Sequence, residues 1–145
     1  MTLLEAPTVT HAPSPGEQRF VLRSVDWESY RKISDALRGR HLHLTYDRGT
    51  LEFMTISPCH GNCSRLLGRL IVTLTEELGL PILAFGDMTC DREDLERGVE
   101  PYECFFLENE PAVRGRDAID FRTDPPPDLV AEIDISRSSR RRLGV

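Results

Sequence analysis

From Pro58 to Gly79 the chain supports one reading. Leu66, Leu67, Leu70, Ile71, Leu74 and Leu78 recur at three- and four-residue intervals, the spacing of one side of a helix, and Gly79 supplies a stop. A stripe that broad has to lie against something, and the flanking sequence supplies strands. Ahead of it, Leu42, Leu44 and Tyr46 alternate with His41, His43 and Thr45. Asp47-Arg48-Gly49 then makes a turn with Gly at a positive φ, and Thr50 to Ile56 returns as the second arm of a hairpin. Behind the helix, Ile82 to Phe85 reads as a buried strand and Met88 to Arg92 as a short one. Glu103 to Leu107 reads as a Phe-rich strand, and Asp128 to Ile135 as a strand with Leu129, Ala131, Ile133 and Ile135 on one face. An earlier helix carries Trp27, Tyr30, Ile33 and Leu37 on one side, with Ser24 or Asp26 as its cap and Gly39 at its end. Asn109 to Asp120 is polar and ambiguous, and Pro125-Pro126-Pro127 ends any helix. Strands mixed with helices make an α/β or α+β protein whose sheet is covered on at least one side.

At 145 residues the chain is one domain's worth, large enough to bury a core without a staple. Residues 1–18, rich in Pro, Thr, Ser and Ala, read as an arm, and 19–145 as a single domain. No uncharged apolar run approaches the ~18 residues of a membrane span. No basic residue precedes Arg19 and no apolar run follows the start, so the expected address is cytoplasmic. A net charge of -6 argues against gripping nucleic acid through bulk basicity. It leaves room for a small carboxylate site that meets phosphate through a divalent cation. Cys59-His60 with Cys63 offers part of a zinc set, but no second close pair exists, and Cys90 and Cys104 stand alone. Four reduced thiols are therefore expected.

Five stretches together resemble one family. They are Leu44-Thr45-Tyr46-Asp47-Arg48-Gly49-Thr50-Leu51-Glu52, Ser57-Pro58 followed by His60, Glu76-Glu77-Leu78-Gly79-Leu80-Pro81, Gly98-Val99-Glu100-Pro101 followed by Glu103-Cys104-Phe105, and Asp124 through Ile135. Their order and spacing, from about residue 20 to the C-terminus, resemble the Uma-type restriction endonucleases, a branch of the PD-(D/E)XK nuclease superfamily. The resemblance implies an α/β restriction-endonuclease-like fold: a mixed sheet flanked by helices, with a Mg2+ or Mn2+ site at the sheet's opening and DNA as the partner. In such a site two carboxylates hold the cation, which polarises the scissile phosphate and activates water. A lysine two residues past the second carboxylate stabilises the developing charge.

Carried over by position, the fit is partial. The Pro-Asp motif falls on Pro101 and Tyr102, so a tyrosine stands where a metal-binding aspartate is expected. The second carboxylate falls on Glu132, and the lysine position on Asp134, a departure that relatives in this branch often share. The helix glutamate falls on Cys59, with His60 beside it. The resemblance thus implies Glu132, Asp134 and His60 as the catalytic set, and Glu132 and Asp134 as metal ligands. Glu100, two residues before Tyr102 and on its face if the chain is extended, is a stand-in ligand. Each residue also has a plain structural reading: Asp134 as a strand-end cap, His60 on the surface at a helix start, Tyr102 as a half-buried strand residue. Glu132 among apolar neighbours is costly to bury without a partner or a metal. Asp128 mimics the Pro-Asp motif but lies too close to Glu132 for a two-strand site. Arg137 and Arg140 to Arg142 read as a solvated tail or a phosphate clamp.

The function expected is metal-dependent DNA endonuclease activity, impaired by loss of the Pro-Asp aspartate, the helix glutamate and the lysine. The competing expectation is a catalytically inactive nuclease-fold binding or assembly module. The chain ends soon after its last strand, so the C-terminal part of the core is expected to be missing and the apolar face of residues 129–135 to be uncovered. That predicts a homo-oligomer, a homodimer in the simplest case, or else an aggregation-prone monomer.

Overall fold

The computed structural model describes residues 18–86 and 88–134. Five strands form one antiparallel sheet: β1 (Arg19–Arg23), β2 (Leu42–Asp47), β3 (Thr50–Thr55), β5 (Cys90–Arg92) and β6 (Arg97–Val99), in the order β1-β3-β2-β6-β5. Three more form a second antiparallel sheet, β4 (Leu83–Gly86), β7 (Glu103–Phe106) and β8 (Leu129–Ala131), with β7 in the middle. The helices are α1 (Trp27–Leu37), α2 (Pro58–Glu77) and the short α3 (Glu110–Val113). No helix among the described residues is long and apolar enough to cross a membrane. The α/β class with helices flanking sheet is the one expected, although every strand pairing among the described residues is antiparallel.

The hairpin forms where the turn residues place it. Leu42 pairs with Thr55 and Asp47 with Thr50, leaving Arg48 and Gly49 as a two-residue loop. Both have positive φ, 42° and 88°, as the hairpin turn that matches strand twist requires. Against this pair packs α1. Asp26 caps it by accepting the Ser29 N–H at 2.7 Å, and that bond holds its carboxyl below the ordinary value of 3.8. Tyr30 lies stacked on Tyr46 with ring centroids 4.6 Å apart, Trp27 meets both rings at a tilt, and Leu44 and Leu51 complete the buried cluster. Burial pushes the Tyr30 phenol far above its ordinary range, and its Oη donates to Asp91 Oδ1 at 2.6 Å. Asp91 also pairs with Arg31. Gly98 lies directly over this pair: a Cβ there would run into Tyr30 Oη and Asp91 Oδ1.

Past β6 the chain crosses to the second sheet through Glu100, the fully buried Pro101 and Tyr102. Proline cannot donate to a ladder, so the first sheet stops there and pairing resumes with new partners at Glu103. Cys104, Phe105 and Phe106 are fully buried in β7. Asp128, the Pro-Asp mimic, is structural. Its Oδ2 accepts the N–H groups of Leu107 at 2.6 Å and Asn109 at 3.0 Å, and its Oδ1 accepts the Asn109 amide at 2.8 Å, which fixes the entry to β8.

Four sequence expectations are corrected. β1 arises where no element was expected, as an edge strand whose Phe20, Val21 and Leu22 remain exposed. β6 is likewise unanticipated. β8 is three residues long, and α2 packs against it. Ala131 is therefore buried while Leu129 stays exposed, so the last strand is not the bare apolar face that was expected. The largest correction concerns α2, whose buried residues are His60, Ser64, Gly68 and Thr75. Leu66, Leu70, Leu74 and Leu78 are 61, 64, 56 and 62% exposed. Of the expected arm, only Gln18 is described; its carbonyl accepts the Thr55 N–H at 2.9 Å. Ile135 and the arginine-rich stretch from 137 lie outside the described residues.

Candidate functional site

The site assembles where the two sheets and the start of α2 meet. β7 pairs with β8 through Glu103 opposite Ala131. Continued by one residue, that register sets Tyr102 opposite Glu132, on the side of β7 that Cys104 shares. Cys104 accordingly feels the Glu132 carboxylate. Its thiol is pushed far up by a hydrogen bond with Cys90, then by burial, with Glu103 and Glu132 adding repulsion. A thiol so placed stays protonated and inert.

Tyr102 is buried, and its ring is clasped from two directions. His43 of β2 lies 4.2 Å away between ring centroids, and His60 stacks on it at 5.7 Å with planes 5° apart. His60 also closes the first turn of its own helix. The Ser57 N–H donates to Nδ1 at 3.3 Å and Ser57 Oγ lies 2.7 Å from the same atom, so Nδ1 is the acceptor and the proton belongs on Nε2. A residue expected either near a metal or on the surface is thus fully buried, joining α2 to Tyr102.

The carboxylates are placed separately. Glu100 Oε2 accepts the Leu44 N–H at 2.9 Å, and Oε1 accepts the Thr89 hydroxyl at 3.4 Å. Asp134 Oδ1 lies 3.9 Å from the Arg19 guanidinium, which also holds Glu52 at 3.3 Å, so this arginine ties the end of the second sheet to the edge of the first. Glu103 turns toward α2, where Ser64 Oγ donates to it at 3.1 Å. Among the described residues, no three His, Cys, Asp or Glu side chains come together as a metal site. The cation that the resemblance implies therefore has no cage among these side chains. Cys59 and Cys63 adjoin on α2, where burial and then the neighbouring Cys59 raise the Cys63 thiol, while His60 turns inward away from them.

Beside His43 and Glu100 opens a cavity of about 190 Å3, lined also by Arg38, Arg40, His41 and Thr89. Arg38 and Thr89 border a larger one of about 670 Å3 as well, walled by Trp27 and Phe121 with Arg31 and Arg122. The two cavities share Arg38 and Thr89, and the smaller one reaches His43, which lies against Tyr102. Within the larger, Arg31 faces Asp91, and Arg122 faces Asp120, whose carboxyl that arginine lowers to about 2.

Sequence reasoning missed His43 and Glu103. His43 sits at a polar position of an alternating strand, which reads as solvent-facing; it is buried because this sheet is covered on both sides. Glu103 is the first residue of a strand that reads as Phe-rich and lies in a family stretch, but nothing in the sequence marks its turn toward α2.

No curated protein and no solved structure matches the chain significantly. Residues 27–144 match the sequence profile of the Uma2 family, described as "Putative restriction endonuclease". The match covers most of the chain and every element from α1 onward: the chain belongs to the Uma2 family of restriction-endonuclease-like proteins.

Proposed function

We propose that this chain is a DNA-directed nuclease-family domain whose metal-dependent phosphodiester hydrolysis is impaired. One observation carries the reading. The place of the Pro-Asp aspartate holds a buried tyrosine, clasped between His43 and His60 and opposite Glu132. A phenol with an ordinary pKa of ~10 offers no anionic oxygen at neutral pH, so it cannot replace a hard carboxylate ligand. Glu132, Asp134 and Glu100 are the residual carboxylates and His60 the residual histidine of the ancestral centre. The cavity that reaches His43 is the surface on which DNA lies, with Arg38 and Arg40 as phosphate contacts. The cation of the unimpaired chemistry is Mg2+ or Mn2+.

The test is calorimetric titration of Mn2+ into the wild type, Tyr102→Asp and Tyr102→Asp/Glu132→Ala, with a plasmid-nicking assay alongside. Tyr102→Asp is expected to bind Mn2+ more tightly than wild type, and the double variant to lose the gain. Equal binding by all three sinks the assignment of this site, and efficient nicking by the wild type sinks the impairment.

A further inference from the structure

The chain has a single tryptophan, and the fold sets it in the wall of the larger cavity. Trp27 opens α1 and meets the rings of Tyr30 and Tyr46 at 54° and 62°, yet it stays only half-buried and lines the cavity of about 670 Å3. Phe121 and Ile119, both half-buried, line the same cavity from the segment between α3 and β8. That segment is held in place. Asp124, its side chain 6% exposed, accepts the Asp120 N–H at 2.9 Å and pairs with Arg116 at 2.8 Å. The Thr123 and Asp124 N–H groups both donate to the Asp120 carbonyl, which closes the turn that carries Phe121. Among the described residues the charged lining balances, with Arg31, Arg38 and Arg122 set against Asp91, Glu93 and Asp120. Arg31 pairs with Asp91, Arg122 with Asp120 at 2.6 Å, and Arg38 with Asp35 at 2.7 Å. A lining so balanced has no surplus charge for a free phosphate. It offers two aromatic rings and a rim that both donates and accepts.

We infer that this cavity takes an unpaired nucleobase, which makes single-stranded DNA the substrate class of the neighbouring cavity; the inference rests on the DNA reading of that smaller cavity. Aromatic rings gain little from a duplex, whose bases already stack on one another, whereas they are the platform on which an unpaired strand is held. A base is planar and uncharged at neutral pH, and its edge carries both donors and acceptors. Guanidinium groups donate to its ring nitrogens and carbonyl oxygens, and carboxylates accept from its exocyclic amines. The volume lies within the ~300–1,000 Å3 of small-molecule sites. Arg38 and Thr89 border both cavities, so a strand whose phosphates meet Arg38 and Arg40 brings its next base to the aromatic wall. Stacking also suits a chain of net charge -6, which gains little from phosphate attraction alone.

The experiment titrates the full chain, in EDTA so that no strand is cut, with three ligands: oligothymidylate, the same strand paired to oligoadenylate, and an abasic strand of equal length. Trp27 fluorescence reports on the cavity, and the anisotropy of a labelled strand gives the affinity. Oligothymidylate is expected to quench Trp27 and to bind roughly tenfold more tightly than the duplex or the abasic strand. Phe121→Leu keeps apolar volume but has no ring; it is expected to lose that tenfold preference while its thermal unfolding and its abasic binding stay as in the wild type. Phe121→Tyr is expected to retain the preference. A wild type that binds the duplex or the abasic strand as tightly as oligothymidylate overturns the base site, as does a Phe121→Leu variant that keeps the preference. If Arg38→Ala/Arg40→Ala then still weakens all three ligands, the DNA surface stands without the base site. Binding of none of the three sinks both.

Discussion

The two long helices have comparable apolar patterns and opposite fates. α1 turns Trp27, Tyr30, Ile33 and Leu37 onto the hairpin, where rings stack and leucines close around them. α2 has the broader stripe, yet meets Glu103 of β7 through Ser64 and Gly68, buries Thr75, and leaves Leu66, Leu70 and Leu74 exposed. The small residues bring α2 close to the sheet: a Cβ on Gly68 would come within 3.3 Å of Glu103 Oε1. Thr75 returns its hydroxyl to the helix's own carbonyls of Ile71 and Val72, at 3.0 and 2.8 Å, which lets it be buried without an outside partner. An apolar period therefore names the face that requires cover, not the neighbour that supplies it. Here α1 builds the scaffold, while α2 carries a site at its start and a bare ridge along its length.

The contrast breaks most visibly at Tyr30. Removing the ring in Tyr30→Ala opens a cavity beneath Tyr46 and takes a donor from Asp91, and a loss of about 3–5 kcal/mol is expected in urea denaturation. Tyr30→Phe keeps the ring and loses only the hydroxyl, so it separates packing from the hydrogen bond and should cost about 1–3 kcal/mol. If the two variants are equally damaged, the hydrogen bond rather than the stacked ring holds α1 in place.

Gly98→Ala probes the same cluster from the sheet side. The added methyl collides with Tyr30 Oη and Asp91 Oδ1, and β6 must move or the phenol must swing away. The expected loss is about 1–3 kcal/mol by thermal unfolding. Pairing it with Tyr30→Phe should reduce the loss, because the colliding oxygen is then absent; simple additivity would place the collision elsewhere.

The cap of α1 gives a smaller effect with a pH signature. Asp26 has its folded-state pKa below the unfolded value, because its carboxylate accepts the Ser29 N–H. Its contribution is therefore fully present above the ordinary 3.8 and is lost as pH falls through the depressed folded value. Asp26→Ala is expected to be less stable than wild type at pH 7, by less than Gly98→Ala. The two melting curves should converge as pH drops below the ordinary aspartate range. A gap that stays constant down to pH 2 would mean that the cap acts through packing and not through charge.

What could be read from the residues, and what could not, follows the same division. α1, the hairpin and α2 were legible because their periods are long and their stops are Gly or Pro. β1 was not, because an edge strand exposed on both sides needs no alternation, and β6 was not, because three residues around Gly98 carry no pattern. At the site, the positions of Glu132 and Tyr102 were marked by the motif they interrupt or complete. The clasp around Tyr102 was hidden: His43 is buried only because the second face of its sheet is covered, a tertiary fact that a strand's own alternation cannot carry. Asp128 shows the reverse error that motif reading invites, since a Pro-Asp pair in the right neighbourhood is spent on the backbone of residues 107 and 109.

The smallest expected effect is the sharpest test of the comparison. Leu44 and Leu70 are the same residue type; Leu44 is 2% exposed beneath α1 and Leu70 is 64% exposed on α2. Leu44→Ala removes contacts with the aromatic cluster and should cost about 2–5 kcal/mol. Leu70→Ala should change stability by no more than about 0.5 kcal/mol, the range of surface substitutions away from special features. A loss at Leu70 as large as that at Leu44 would mean that the ridge is covered within the chain.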